Sequence, residues 1–311
     1  MMLSTFQRCH SKRIMYGKMF SLIIITGFST MDELVSAEGV VVRGIICANE
    51  RNINRSLEIH QKLSLPVIRE IVDTSLPPGI YLNWSDKEHL ELVFVGISSE
   101  KLNPYSIDFT SSENIRRRRQ SKSELLIRAL GKLPDGGKVW DLTAGLGRDS
   151  LIMVSSGWHV EMFERNGVLA VLLDDAIRRF HHSEPDIGRR LKCHHVDIKA
   201  DMDIKTIVRS AALSTELLLP NVVYLDPMYS NGFIGKKAKV KKDTQILHFL
   251  NGKMQGMEES NNVALFQFAR AAAQRRVVVK RPLNAPPLCD VEPDSRVTGS
   301  SQRFDIYLTS S

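Results

Sequence analysis

Two stretches of this chain carry the residue types and spacings best suited to chemistry. The first is Asp141-Leu142-Thr143-Ala144-Gly145-Leu146-Gly147-Arg148-Asp149, directly after an apolar run. The second is Asp226-Pro227-Met228-Tyr229, again after an apolar run. Glycine-rich turns after strands serve many nucleotide-binding proteins, so either stretch alone says little. Together and in this order they point to transfer of a methyl group onto an amine of a nucleic-acid base.

The first stretch works through backbone geometry. Residues 138–142 read as a strand and residues 149–156 as the helix after it. Gly145 and Gly147 then sit at the strand-to-helix turn, where glycine permits positive φ and a close approach of main chain to ligand. A second strand over 159–163 ends in Glu164, 23 residues past Asp141, where an acid can accept hydrogen bonds from ribose hydroxyls. A nucleoside-type cofactor is expected, although a tight turn beside a solvated glutamate suits the same residues. The run Gly-Leu-Gly-Arg-Asp lacks the third glycine of the dinucleotide fingerprint, which argues against NAD. S-adenosyl-L-methionine has no phosphate, and its zwitterionic tail suits an acid at Asp141 and a cation at Arg148. Arg148 and Asp149 can equally form an ion pair at a helix start.

The second stretch follows a near-continuous apolar strand, Asn221-Val222-Val223-Tyr224-Leu225, of the kind buried in a parallel sheet. An exocyclic base amine is conjugated and weakly nucleophilic, so it must be held with its lone pair toward the methyl donor. The Asp226 carboxylate and the Pro227 carbonyl can accept its two hydrogens, Pro227 stiffens the turn, and Tyr229 offers a ring for the base to stack on. A plain strand-end turn with a core tyrosine is the alternative for this stretch taken alone.

With these residues in place, the chain resembles the bacterial RsmJ family, which methylates the 2-amino group of a guanine in small-subunit ribosomal RNA. The likeness is carried by the Asp141 to Asp149 run, Glu164-Arg165-Asn166, residues 168–175 (VLAVLLDD), 222–228 (VVYLDPM), 276–282 (RVVVKRP), Ala285-Pro286-Pro287-Leu288 and 303–307 (RFDIY). It runs from about residue 90 to the C-terminus and is faint over residues 40–88. The resemblance implies cofactor contacts at Arg148, Asp149, Glu164, Arg165, Val196, Asp197 and Asp226. Asp197 also makes chemical sense by itself, since an acid at the end of a third strand can accept from the adenine amine. The chain departs from the family at Ser230-Asn231-Gly232-Phe233, and at residues 116–123, where the family tends to carry glycines and this chain has Arg116-Arg117-Arg118-Arg119. Both departures concern the RNA site more than the cofactor site.

At 311 residues and 43% apolar content the chain can bury a sizeable core. It has no apolar stretch of the roughly 18 residues a membrane span needs, so no membrane association is expected. Cys9, Cys47, Cys193 and Cys289 lack disulfide or zinc spacing. His181-His182 and His194-His195 have no acid or cysteine cluster to complete a metal site.

Three parts are expected. Residues 1–39 form a leader with Arg8, Lys12, Arg13 and Lys18 but no acid before Asp32. That composition fits an organellar transit peptide for mitochondrion or plastid, and also a secretory signal or an internal start at Met31, with a cytoplasmic enzyme in the last case. Secretion sits badly with an RNA-modifying site. Residues 40–115 read as a small α+β domain, with strands over 40–46 and 91–95, a helix over 53–63 and a turn at 76–79. Residues 116–311 alternate strands and helices, with strands ending near 142, 164, 196, 226 and 280, and close in a hairpin. That pattern implies an α/β doubly wound sheet, and the resemblance makes it the Rossmann-like class I methyltransferase fold with an antiparallel last strand.

The net charge is +7, of which residues 1–31 supply +4, so overall charge is a modest argument for a polyanionic partner. The runs Arg116 to Arg119 and Lys236, Lys237, Lys239, Lys241 and Lys242 are stronger candidates for ribosomal RNA phosphates, or for the small ribosomal subunit, if they fold to one face. Solvated loops would show the same runs. Two rivals stay open: a DNA adenine amino-methyltransferase sharing the strand-end motif, and a ribosome-assembly factor that keeps the fold without transferring methyl.

Overall fold

The computed structural model describes residues 42–69, 76–96, 103–121, 124–198, 202, 204–210, 219–227, 246–247, 250 and 258–309, with the backbone of two short strands at 35–36 and 39–40. Strands β1 (Val35–Ser36) and β2 (Gly39–Val40) pair with each other. A four-stranded sheet follows, built from β3 (Val42–Ile46), β4 (Val67–Ile68), β5 (Gly79–Trp84) and β6 (Leu90–Val95) in the order β4-β3-β5-β6, with helix α1 (Ile53–Leu63) between β3 and β4. Helices α2 (Ser112–Arg119) and α3 (Leu125–Leu130) lead into the larger sheet.

That sheet comprises β7 (Lys138–Asp141), β8 (His159–Glu164), β9 (Leu191–His195), β10 (Val222–Leu225), β11 (Arg276–Pro282), β12 (Ser295–Thr298) and β13 (Gln302–Leu308), in the order β12-β13-β11-β10-β7-β8-β9. The five strands from β11 through β9 are parallel, and β13 runs antiparallel to β11 and β12 between them. The helices are α4 (Arg148–Ser155), α5 (Gly167–Ser183), α6 (Pro185–Gly188), α7 (Ile204–Ser210) and α8 (Glu258–Ala272).

The parallel strands are apolar on both faces because both are covered. Along β7, Val139 joins one core and Trp140 the other. Met162 and Phe163 on β8, and Val222 and Val223 on β10, divide in the same way. The first core also takes in Ile45, Leu82 and Leu92, so the small sheet packs into the same apolar cluster as one face of the large one.

The expected single strand over 40–46 is divided, because β2 pairs with β1 while β3 joins the four-stranded sheet. Strand β5 went unread in the sequence: Gly79-Ile80-Tyr81-Leu82 is buried without alternation, and follows the prolines that suggested only a turn. The helix expected at 149–156 starts at Arg148, with Gly147 as its left-handed N-cap at φ 70°. A Cβ at Gly147 would come within 2.9 Å of Leu173 and Phe109, so this glycine is fixed by packing as well as by φ.

The two sheets are also joined by a buried carboxylate. Asp175 on α5, 3% exposed, accepts from Arg55 on α1, from the Leu90 backbone N–H at 3.0 Å, and from Arg178 and Arg179 at 2.9 and 2.8 Å. Arg55 also lies over the Trp84 ring at 4.0 Å. Burial alone would raise the Asp175 pKa, but Arg179 and the other donors outweigh it and lower it. Asp175→Ala strands these cations and the Leu90 N–H, and should cost roughly 3–5 kcal/mol in urea unfolding. An unchanged midpoint would mean that apolar contact alone holds the small sheet in place.

Candidate active site

The C-terminal ends of β7, β8 and β10 border a cavity of about 690 Å³. It lies where the strand order reverses between β7 and β10, the place where open parallel sheets bind ligands. Asp141 ends β7 and is 1% exposed. It accepts from Ser150 Oγ at 2.6 Å and from the Thr143 N–H at 3.1 Å. Burial pushes its pKa up to about 7, against the pull of these two donors. Glu164 ends β8, accepting from the Gly145 N–H and the Asn166 N–H at 2.8 Å each. Burial raises its pKa too. Asn166 caps α5 through its side chain, so one short segment sets both the acid and the helix start.

A second group of charges forms the other wall. Asp149, in the first turn of α4, accepts from Tyr224 Oη at 2.7 Å, Lys280 Nζ at 2.8 Å and Arg117 Nη2 at 3.0 Å. Burial opposes its ionisation, yet Lys280, Tyr224 and Arg117 together hold its pKa at about 2. Lys280 Nζ also donates to Asp226 Oδ2 at 2.8 Å, and the Asp226 backbone N–H donates to Thr143 Oγ1 at 2.6 Å. Asp226 keeps 40% of its side chain exposed.

The cavity brings together Asp141, Gly145, Arg148, Asp149, Glu164, Arg165, Val196, Asp197, Asp226 and Pro227, with Gly147 behind the wall as the α4 cap. Arg148 pairs loosely with Glu113 at 3.9 Å, while Asp149 takes other partners, so the two do not form the helix-start pair that their adjacency suggested. The arginine run is divided. Arg117 binds Asp149 and Glu124, Arg118 binds Glu184 and lies over Phe180, and Arg116 and Arg119 are exposed. Tyr229 and Lys236, Lys237, Lys239, Lys241 and Lys242 lie outside the described residues. His194 meets Glu161 and His195 meets the Arg165 carbonyl. Among the described residues, no group of three or more His, Cys, Asp or Glu is placed to hold a metal ion.

Lys280, Tyr224, Thr143 and the inward role of Arg117 were missed in the sequence. A lysine closing the apolar run Val277-Val278-Val279 at the end of a strand is the signal that could have singled out Lys280.

The residues present fit S-adenosyl-L-methionine. Asp141 is a buried carboxylate whose contacts are neutral hydrogen-bond donors, which suits an incoming ammonium. Glu164 suits the ribose hydroxyls, Asp197 the adenine amine, and the volume falls within the usual range for a small-ligand site.

A parallel sheet with one antiparallel strand near its edge, and acids at successive strand ends, defines a class I S-adenosylmethionine-dependent methyltransferase. The sequence profile of the SAM-dependent methyltransferase family SAM_MT matches residues 77–309. Ribosomal RNA small subunit methyltransferase J of Alkalilimnicola ehrlichii is 37% identical over 251 residues, 79% of this chain and 88% of its own. The enzyme of the same name from Neisseria gonorrhoeae is 36% identical over 242 residues, 76% of this chain and 88% of its own. The crystal structure of a SAM-dependent methyltransferase from Neisseria gonorrhoeae, 29% identical, superposes with a TM-score of 0.62 over 86% of this chain and 96% of that one. The chain belongs to the RsmJ family of these methyltransferases, and its cofactor is S-adenosyl-L-methionine.

The raised pKa of Asp141 has a measurable consequence. With a folded value of about 7 above an ordinary value of 3.8, the protonated acid is favoured by folding. Its contribution to stability is complete below the ordinary value and lost as pH rises through the folded one. Asp141→Asn should therefore gain stability over wild type as pH rises from acid to neutral, by on the order of a few kcal/mol, while cofactor affinity falls. Melting curves across that range check the sign, and parallel curves for the two proteins would remove the buried charge as the cause.

Proposed function

We propose that this enzyme transfers a methyl group from S-adenosyl-L-methionine to the exocyclic 2-amino group of a guanine in small-subunit ribosomal RNA. The observation that carries this reading is Asp226-Pro227 at the mouth of the cavity, with a partly exposed carboxylate held in place from behind by Lys280 and by the turn at Thr143. The names of the relatives support ribosomal RNA as substrate. When bound, the cofactor supplies an electrophilic methyl carbon on a sulfonium.

The chain's own part is positioning. The Asp226 carboxylate and the Pro227 carbonyl accept the two amine hydrogens, which turns the nitrogen lone pair toward the methyl carbon. Attack comes first and the proton leaves afterwards, so no strong base is needed beforehand. Tyr229 stacks the flipped-out or unpaired base. Arg116 and Arg119, with Lys236, Lys237, Lys239, Lys241 and Lys242, receive the phosphates, whereas Arg117 and Arg118 serve the protein itself. Residues 1–39, free of acids through Met31, carry the enzyme to a mitochondrion or plastid. A fluorescent protein fused behind them should collect there, and diffuse fluorescence would return the enzyme to the cytoplasm.

Mass spectrometry of small-subunit RNA nucleosides, from cells with and without the protein, should show one N2-methylguanosine lost in its absence. Reintroducing Asp226→Ala should not restore it, because single-turnover transfer falls by about a hundredfold or more while cofactor binding persists. An unchanged nucleoside profile would overturn the reading, and loss of a methylated adenine from DNA would replace it.

A further inference from the structure

We propose that Lys280 is the positioning residue of the transfer: by joining Asp149 to Asp226 it fixes the Asp226 carboxylate as an ionised acceptor for the amine. The inference rests on the reading that Asp226 receives the amine. Lys280 lies one residue past the registered pair of Leu225 with Val279, which brings it level with Asp226 on the neighbouring parallel strand. A lysine this enclosed, with 22% of its side chain exposed, keeps its charge because two carboxylates surround it. They raise its pKa against a desolvation that would lower it.

The two carboxylates are not equivalent. Asp149 is 14% exposed and bound by three donors on α2, β10 and β11, so it is the fixed point. Asp226 is more open, and Lys280 is its side-chain partner at 2.8 Å. An ammonium has three N–H donors. One on Asp149 and one on Asp226 transfer the rigidity of the first to the second. The contact is to Oδ2, and among the described residues no donor takes Oδ1, which the proposal gives to the amine.

The charges around Asp226 make the cation necessary. Asp149 on α4 and Asp141 on β7 repel it, Tyr224 lies close on β10, and Lys280 and Arg281 on β11 attract it. Enclosure already raises its pKa, with Lys280 the largest opposing influence. Without Lys280 the pKa of Asp226 would rise further, favouring the protonated form, a weaker acceptor that cannot take the amine's surplus proton. In the reaction, the bond from nitrogen to the methyl carbon forms as the carbon–sulfur bond breaks, and the electron pair stays on sulfur. The surplus proton on nitrogen passes to the Asp226 carboxylate and then to water, a transfer that requires an ionised Asp226.

The test uses the full chain with cofactor and small-subunit RNA from cells lacking the protein, and compares Lys280→Met with Lys280→Arg. Lys280→Met/Asp149→Asn serves if the single variant does not fold, since it preserves the net charge of the cluster. Transfer by Lys280→Met should fall about tenfold to a hundredfold near neutral pH and recover at alkaline pH, its acidic limb shifted upward, and Lys280→Arg should return the limb toward wild type. Carbon-13 titration of the Asp226 carboxyl, without RNA, should shift the same way. A loss equal at every pH, with an unmoved Asp226 titration, would make Lys280 merely structural. Wild-type protein that methylates no RNA would sink the proposed function, and the Asp226 titration would still decide for or against Lys280.

Discussion

The ammonium of Lys280, shared between Asp149 and Asp226, is the contact around which the C-terminal edge of the sheet is organised. Three aspartates, Asp141, Asp149 and Asp226, face one cavity, and burial penalises the charge on each. The same residue type then diverges according to its partners. Asp149, with a lysine, an arginine and a tyrosine, falls to about 2. Asp141, given a hydroxyl and a backbone N–H, climbs to about 7. Under the proposed function this separation divides the labour of the cavity: the charge already neutralised by the protein anchors the acceptor, and the one lacking a cation suits the positive end of the cofactor.

Hydrogen bonds between strand tips make the edge one rigid unit. Thr143 donates its N–H to Asp141 and receives the Asp226 N–H on its hydroxyl, tying the end of β7 to the end of β10. Glu164 does the same between β8 and the glycine turn through Gly145. Neither tie depends on a long loop. A site built on strand ends keeps its geometry better than one carried by loop tips alone, and a reaction that rests on alignment needs that.

Much of this was legible in the sequence, for definite reasons. The parallel strands announce themselves as continuous apolar runs, and the acids at their ends as single charges that stop those runs: Asp141, Glu164, Asp226. Local spacing therefore suffices to place these acids at strand ends around the cavity. The acceptor half depends on pairs distant in sequence. Lys280 meets Asp226 across 54 residues and Tyr224 meets Asp149 across 75, and no periodicity encodes such a meeting. Strand β5 escaped notice because Pro77, Pro78 and Gly79 mark a turn, and the apolar segment Ile80-Tyr81-Leu82 stops at Asn83 before it stands out as a run. Asp175 escaped because an acid inside a helical run reads as surface until the arginines from α1 and α5 are seen around it.

The run Arg116 to Arg119 shows why composition alone could not settle a charge cluster. In a helix, residues three apart share a face, so Arg116 and Arg119 point together to solvent while Arg117 and Arg118 turn inward. The inward pair holds α2 against the catalytic domain: Arg118 at Glu184, at Ser155 and over Phe180, Arg117 at Glu124 and Asp149. Through Asp149 the same helix touches the support of Asp226. A phosphate held by Arg116 or Arg119 would then sit one turn or less along the helix from Arg117, which binds Asp149. On that geometry the inner pair supplies enclosed contacts that salt reaches far less, and the outer pair stays at the surface, where the proposed function gives it an attraction to a polyanion that salt screens.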